Sequence, residues 1–105
     1  MAFTPYHNIT GSTGETVELV APGDGANNIK SITIANIHAT ADATVSLYIY
    51  KSAESYYILS TVAIPSDTSL LLDDSNTLLF NNSTSGYGLA ITVGSSDTVD
   101  VLINR

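Results

Sequence analysis

Cysteine is absent from this 105-residue chain, and so are tryptophan and glutamine. Without thiols there is no disulfide framework and no thiolate or cysteine-type zinc chemistry. That fits a protein made in a reducing compartment. Cations are nearly as scarce: Lys30, Lys51 and Arg105 stand against ten acidic residues, for a formal net charge of −7. A nucleic-acid binder needs clustered Lys and Arg to displace counterions from phosphates. The composition therefore argues against nucleic acid as a partner, and against an anionic membrane surface for the same reason. Charged residues of all kinds are 12% of the chain, about half the usual share of ~25%. No apolar run approaches the ~18 residues needed to span a bilayer. The opening residues, MAFTPYHNIT, have no basic n-region and no apolar h-region, so they read without a secretory signal.

What is present is serine and threonine, 26 residues of 105. Such a chain is polar without being charged. Its length is enough to bury one core without metal or disulfide staples, so residues 1–105 read as a single domain.

Period-two alternation recurs along the chain. ETVELVA (Glu15–Ala21) places Val17, Leu19 and Ala21 on one face. In IKSITIANIHA (Ile29–Ala39) the phase changes near Ala35–Asn36, which predicts a β-bulge. TVSLYIYK (Thr44–Lys51) alternates cleanly, and YYILSTVAI (Tyr56–Ile64) ends at Pro65, which cannot donate to a ladder. TSLLLD, TLLF, YGLAITVG and TVDVLIN follow, separated by turn-forming stretches such as SAES, PSD and NNSTSG. The spacing predicts an all-β antiparallel sandwich of seven to nine short strands, jelly-roll or immunoglobulin-like in topology. Residues 1–14 have weak patterning and are expected to form a mobile amino-terminal arm. At a chain terminus fraying is the ordinary reading, and an embrace of a neighbouring subunit is the other.

Signals for catalysis are thin. No G-x-S-x-G elbow is present, and the chain has two histidines, His7 and His38. A lone histidine in a strand-like run is more often a surface residue than a catalyst. Asp73–Asp74 and Asp97/Asp100 are the nearest carboxylate pairs. The DDSN turn lacks the spaced acidic loop that calcium requires, and its Asp and Asn side chains suit turn hydrogen bonds. Asn8, Asn81 and Asn82 sit in glycosylation-type triplets, as expected by chance in a chain rich in Asn, Ser and Thr. The expectation is a non-enzyme with no catalytic residues, no metal site and no cofactor.

Aromatic residues, by contrast, are concentrated. Four of the six tyrosines fall in YIYKSAESYYIL (Tyr48–Leu59). Read as a hairpin with SAES at its tip, Lys51 pairs with Tyr56. Ile49 then faces Ile58 and Val45 faces Val62 on the inner face, with Tyr50 opposite Tyr57 and Tyr48 opposite Leu59 outside. A one-residue slip would exchange those faces. An outer face of tyrosines and a leucine is too apolar to be left to solvent, and tyrosine is enriched at interfaces. Tyr48, Tyr50, Tyr57 and Leu59 are therefore candidate contact residues, with Phe3 and Tyr6 of the arm as a second contact. The alternatives are internal cover by the amino-terminal segment and a platform for sugar rings.

The run ITIANIHATADATVSLYIYKSAESYYILSTVAIPSDTSLLLD resembles the small virion proteins of tailed bacteriophages, notably those of cyanobacteria. The shared pattern is a strand ending in I-x-N, a polar loop, VSLYIY, a short turn, YYIL, an x-I-P stop, a leucine-rich strand and a closing SDTVDVLI. It covers roughly Ile32 to Arg105. The resemblance implies a β-sandwich with structural work: a capsid cement or decoration protein that binds the major capsid protein lattice, made in the host cytoplasm and carried on the virion. Other virion proteins, at the neck, tail or fibre, are the alternative partners, and a homo-oligomer is expected. A carbohydrate-binding β-sandwich module is the competing reading from a different class.

Overall fold

The computed structural model describes residues 5–11, 15–24, 29–38, 40–73, 80–94 and 97–104. Eight strands are described: β1 (Tyr6–Gly11), β2 (Glu15–Val20), β3 (Ser31–Asn36), β4 (Ala43–Lys51), β5 (Glu54–Ile64), β6 (Ser69–Leu72), β7 (Gly88–Val93) and β8 (Asp97–Asn104). They form two four-stranded antiparallel sheets, ordered β1-β8-β3-β6 and β2-β7-β4-β5. Strands one and eight, two and seven, three and six, and four and five are neighbours, as if one long hairpin had been rolled up. That order is a jelly roll rather than an immunoglobulin arrangement.

Alternation builds the core between the sheets. Ile32 and Ile34 of β3, Val45 and Leu47 of β4, Leu89, Ile91 and Val93 of β7, and Val99 and Val101 of β8 are buried from opposite sides. Burial of each such side chain contributes about 1.5–3 kcal/mol. Strand spans match the alternation closely, except for TLLF, of which Thr77–Leu79 lie outside the described residues.

Three expectations need correction. The amino-terminal segment is not an arm over its described part. Residues 6–11 are strand β1, paired with β8 along its whole length and anchored by buried Ile9. The bulge expected at Ala35–Asn36 is absent, because β3 ends at Asn36 and Ile37 lies beyond it, exposed. A register shift falls instead in β2, between Glu18 and Val20, and lets Leu19 and Val20 both reach the core.

The third correction is the tyrosine hairpin. Its turn is Ser52–Ala53, not SAES, and pairing starts at Lys51 opposite Glu54. Ser52 carries φ of 53° and Ala53 is not among the positive-φ residues. That is the pattern of a two-residue type II′ turn. Yet Val45 still meets Val62, as the alternation requires. Two register shifts reconcile the ends, between Val45/Leu47 and between Leu47/Tyr48, each giving β5 one extra residue. One shift lies beside Thr61, whose φ of 53° is rare for a β-branched residue and whose amide donates to Ser46 Oγ at 2.9 Å. The other lets Ile58 and Leu59 both pack on the core.

The I-x-N and x-I-P elements meet in space. Asn36 is 2% exposed, and its Nδ2 donates to Ala41 O at 2.8 Å and to Ile64 O at 2.9 Å. Its Oδ1 accepts the His38 amide at 2.9 Å. Ile64 immediately precedes Pro65, so one buried amide closes the β3–β4 loop and pins the end of β5.

Candidate functional site

The outer face of the β2-β7-β4-β5 sheet is built around β4. Tyr48 lies between Tyr57 on β5 and Ala90 on β7, and Tyr50 lies between Ser55 and Gly88. The rings of Tyr48 and Tyr57 sit 4.9 Å apart, tilted by 38°, a favourable aromatic geometry. Small residues on β7 make room for the pavement. A Cβ on Gly88 would stand 2.6 Å from the ring atoms of Tyr50, and Ala90 is buried although it points outward. Only the Tyr57 ring is left 57% exposed, while Tyr48 and Tyr50 are half-buried. The described part of the amino-terminal segment does not cover this face, since β1 belongs to the other sheet.

Leu59, expected beside Tyr48, turns inward against the core. The bulge at Ile58 is the physical reason, because one extra residue exchanges the faces of everything beyond it. Tyr6 is 66% exposed but stands on the opposite sheet, so it is no neighbour of the hairpin tyrosines. Phe3 and Asp74 lie outside the described residues. Tyr48, Tyr50 and Tyr57 are thus brought together, and Leu59 and Tyr6 are not part of that set.

A second aromatic group lies toward the hairpin tip. Tyr56 and Tyr87 have ring centroids 6.0 Å apart, and Lys51 Nζ sits 5.7 Å from the Tyr87 ring centre. The Glu54 carboxylate beside Tyr56 holds its phenol above the ordinary value of 10.0, and Tyr87 adds to the effect. Around the corner, a cleft of about 360 Å³ is lined by Pro22, Tyr50, Lys51, Ser52, Thr84 and Ser85, with Gly86. The Tyr50 hydroxyl is buried without a hydrogen-bond partner. The cleft wall is firmly held: buried Asn82 donates from Nδ2 to Ala21 O at 3.0 Å and Tyr87 O at 2.8 Å. Those bonds occupy the nitrogen a glycan would need, so Asn82 is a structural residue.

The remaining polar candidates have structural work. His38 Nδ1 accepts the amides of Thr40 and Ala41, both at 3.1 Å, so this imidazole closes a turn. Asp97 Oδ2 accepts the Thr44 amide at 2.9 Å, and Asp100 Oδ1 accepts Asn8 Nδ2 at 2.6 Å. The two carboxylates lie on opposite faces of β8 and do not converge. Among the described residues no group of three His, Asp or Glu side chains gathers as a metal ion would require.

Sequence reasoning missed a second exposed apolar set. Tyr6, Leu102, Thr33 and Leu71 are direct cross-strand partners in one row across all four strands of the β1-β8-β3-β6 sheet. Leu102 is 52% exposed and Leu71 56%. A signal was available: in VDVLIN and SLLL, a leucine occupies an outward position of an otherwise alternating strand.

The fold is shared with a solved structure. It is the Anabaena sensory rhodopsin transducer, at 18% identity and a TM-score of 0.50, over 92% of this chain and 98% of that one. At that identity the likeness speaks to the fold alone, and it agrees with the two-sheet sandwich. No family model and no curated protein matches the chain.

Proposed function

We propose that this protein is a non-enzymatic structural component of a bacteriophage particle, a cement or decoration protein that binds the major capsid protein lattice and stabilises the head. The observation that carries the reading is the tyrosine pavement of Tyr48, Tyr50 and Tyr57 on one outer sheet face. The Tyr50 ring packs on Gly88, and Tyr48 stands beside the small Ala90 and against the tilted Tyr57 ring, which gives an ordered, largely apolar surface. Such a surface binds at low entropic cost, because the rings are already ordered. The jelly-roll strand order supports the reading, since that architecture recurs in viral capsid domains. The resemblance of Ile32–Arg105 to phage virion proteins supports it as well.

Binding to purified capsids, followed by a heat or osmotic challenge of the particles, tests this. Tyr57→Ser removes the most exposed of these three rings and leaves the core untouched. The expected result is saturable binding and tougher capsids with the wild type, and weakened binding with the variant. Capsids that bind neither protein would refute the proposal. Copy number separates stations: hundreds per particle mean the lattice, whereas six or twelve mean the neck or tail axis.

The cleft beside Tyr50, with its hydroxyls from Ser52, Thr84 and Ser85, favours carbohydrate binding as the second reading. A glycan array with the wild type and Ser85→Trp, which would fill the cleft, distinguishes it.

A further inference from the structure

We infer that the outer face of the β1-β8-β3-β6 sheet is a homotypic interface, on which a second copy of this chain packs face to face. The face is separate from the tyrosine pavement and lies on the opposite side of the sandwich. Of the six exposed large hydrophobics among the described residues, four lie on this side: Tyr6, Leu102, Leu71 and Ile37 just past β3. Together they leave on the order of 300 Å² of apolar side chain in water, comparable to the largest apolar patch on a typical protein surface, which is often functional.

Charge selects the occupant. The chain carries a formal −7, so two copies can meet only where the acids are held away. Along these four strands the outward residues are otherwise Ser, Thr, Asn and Ala, and Asp100 alone is charged. Its carboxylate is engaged by Asn8 Nδ2 at 2.6 Å, and Asp73 lies at the rim, past the end of β6. Glu18 projects instead from the other sheet, and Glu54 from the hairpin tip. A basic partner would find little to pair with on this face, whereas a second copy finds a neutral apolar surface like its own.

Size and symmetry agree with this. Four strands about 4.8 Å apart and about six residues long make a face of roughly 19 by 20 Å. A pleated face buries more than its projection, on the order of 600–800 Å² per copy, against about 800 Å² in a standard interface. A two-fold axis along that row, perpendicular to the strands, sets Tyr6, Leu102, Thr33 and Leu71 each against its counterpart in the other copy, as an isologous contact allows. Asp100 lies one outward position from the row, so the two Asp100 side chains fall on opposite sides of the axis, about 13 Å apart along the strands.

Sedimentation equilibrium over a range of concentrations is the test. The wild type is expected to reach twice the chain mass of 11.0 kDa. Leu71→Glu with Leu102→Glu is expected to return it to monomer with an unchanged circular dichroism spectrum, since both side chains are more than half exposed. Tyr57→Glu, on the other sheet, is expected to leave the dimer intact. Because the chain has no cysteine, Leu102→Cys gives a single thiol. A short bismaleimide should couple it into dimers, and should not couple Ala63→Cys on the other sheet. A wild type that stays monomeric throughout overturns the inference. So does a dimer that survives the double glutamate variant or dissolves in Tyr57→Glu. Capsid binding is read separately, so failure here is distinguishable from failure of the decoration reading.

Discussion

Replacing Asn36 is expected to damage the fold more than its single side chain suggests. The amide makes three hydrogen bonds, to Ala41 O, Ile64 O and the His38 amide. The bond to Ile64 O is buried, and water cannot easily take its place. Leaving that carbonyl unsatisfied costs about 1–3 kcal/mol, and the two part-buried bonds are worth about 1 kcal/mol each. Asn36→Ala should therefore lose about 3–5 kcal/mol, a large share of the ~5–15 kcal/mol that holds an ordinary domain. Asn36→Asp sharpens the test, because it keeps shape and the bond from His38 but turns a donor into an acceptor facing two carbonyls. The introduced carboxyl would be held neutral in the folded state, with its pKa raised. In the unfolded chain it ionises near pH ~3.9. Between those two values the folded state binds the extra proton, so the variant loses up to about 1.4 kcal/mol per pH unit as pH rises. It should be closest to the wild type in acid and weakest at neutral pH. Urea melts followed by tyrosine fluorescence, at several pH values, give the numbers, with Ser60→Ala as an exposed control expected within about 0.5 kcal/mol. An Asn36→Ala loss under about 1 kcal/mol, or an Asn36→Asp loss independent of pH, would refute the clamp.

Two further perturbations probe the tyrosines. Gly88→Ala sets a methyl 2.6 Å from the Tyr50 ring, and should cost about 1–2 kcal/mol in the wild type but much less in a Tyr50→Ser background; a double-mutant cycle without coupling would show that the ring does not lie on Gly88. Glu54→Gln should bring the Tyr56 phenol back toward 10.0, read by ultraviolet difference titration, because the carboxylate is the leading cause of its upward shift. A raised phenol contributes stability that is present below pH 10.0 and is lost as pH rises through the folded value, so this variant should lose less stability in alkali.

Alternation made the strands legible. Where a strand stays in phase, as in TVSLYIYK, each inward residue is the one the period assigns. What it could not show were the places where the chain inserts a residue. The hairpin's far end follows the expected pairing of Val45 with Val62, while its near end is displaced by two residues. A two-residue turn sets one end and the core sets the other, and Ile58 and Thr61 absorb the conflict. That is why Leu59 faces inward although a simple ladder puts it outside. The I-x-N and I-P elements stood out as a pattern, but their reason, one buried amide joining two loops, needs three dimensions. The neutral outward row of Tyr6, Leu102, Thr33 and Leu71 was missed because its members are scattered through the sequence and only the β1-β8-β3-β6 order aligns them.

Strand order also bears on how this molecule would meet others. Exposed strand edges are a common route by which sheets pair with other chains, and three of the four edge strands here are poorly suited to it. β5 carries two bulges and a positive-φ threonine, β6 has four residues with Asp73 directly after, and β2 has a register shift of its own. Irregular or short edges of this kind resist addition of another strand. Faces are different: both outer sheets present ordered apolar residues, tyrosines on one and the Tyr6–Leu71 row on the other. A sandwich with blunted edges and exposed apolar residues on two opposed faces favours face contacts over strand addition. If one face closes on a second copy, two tyrosine faces point outward from a single dimer. Bridging neighbouring subunits of a surface would then follow from the fold, without any long arm.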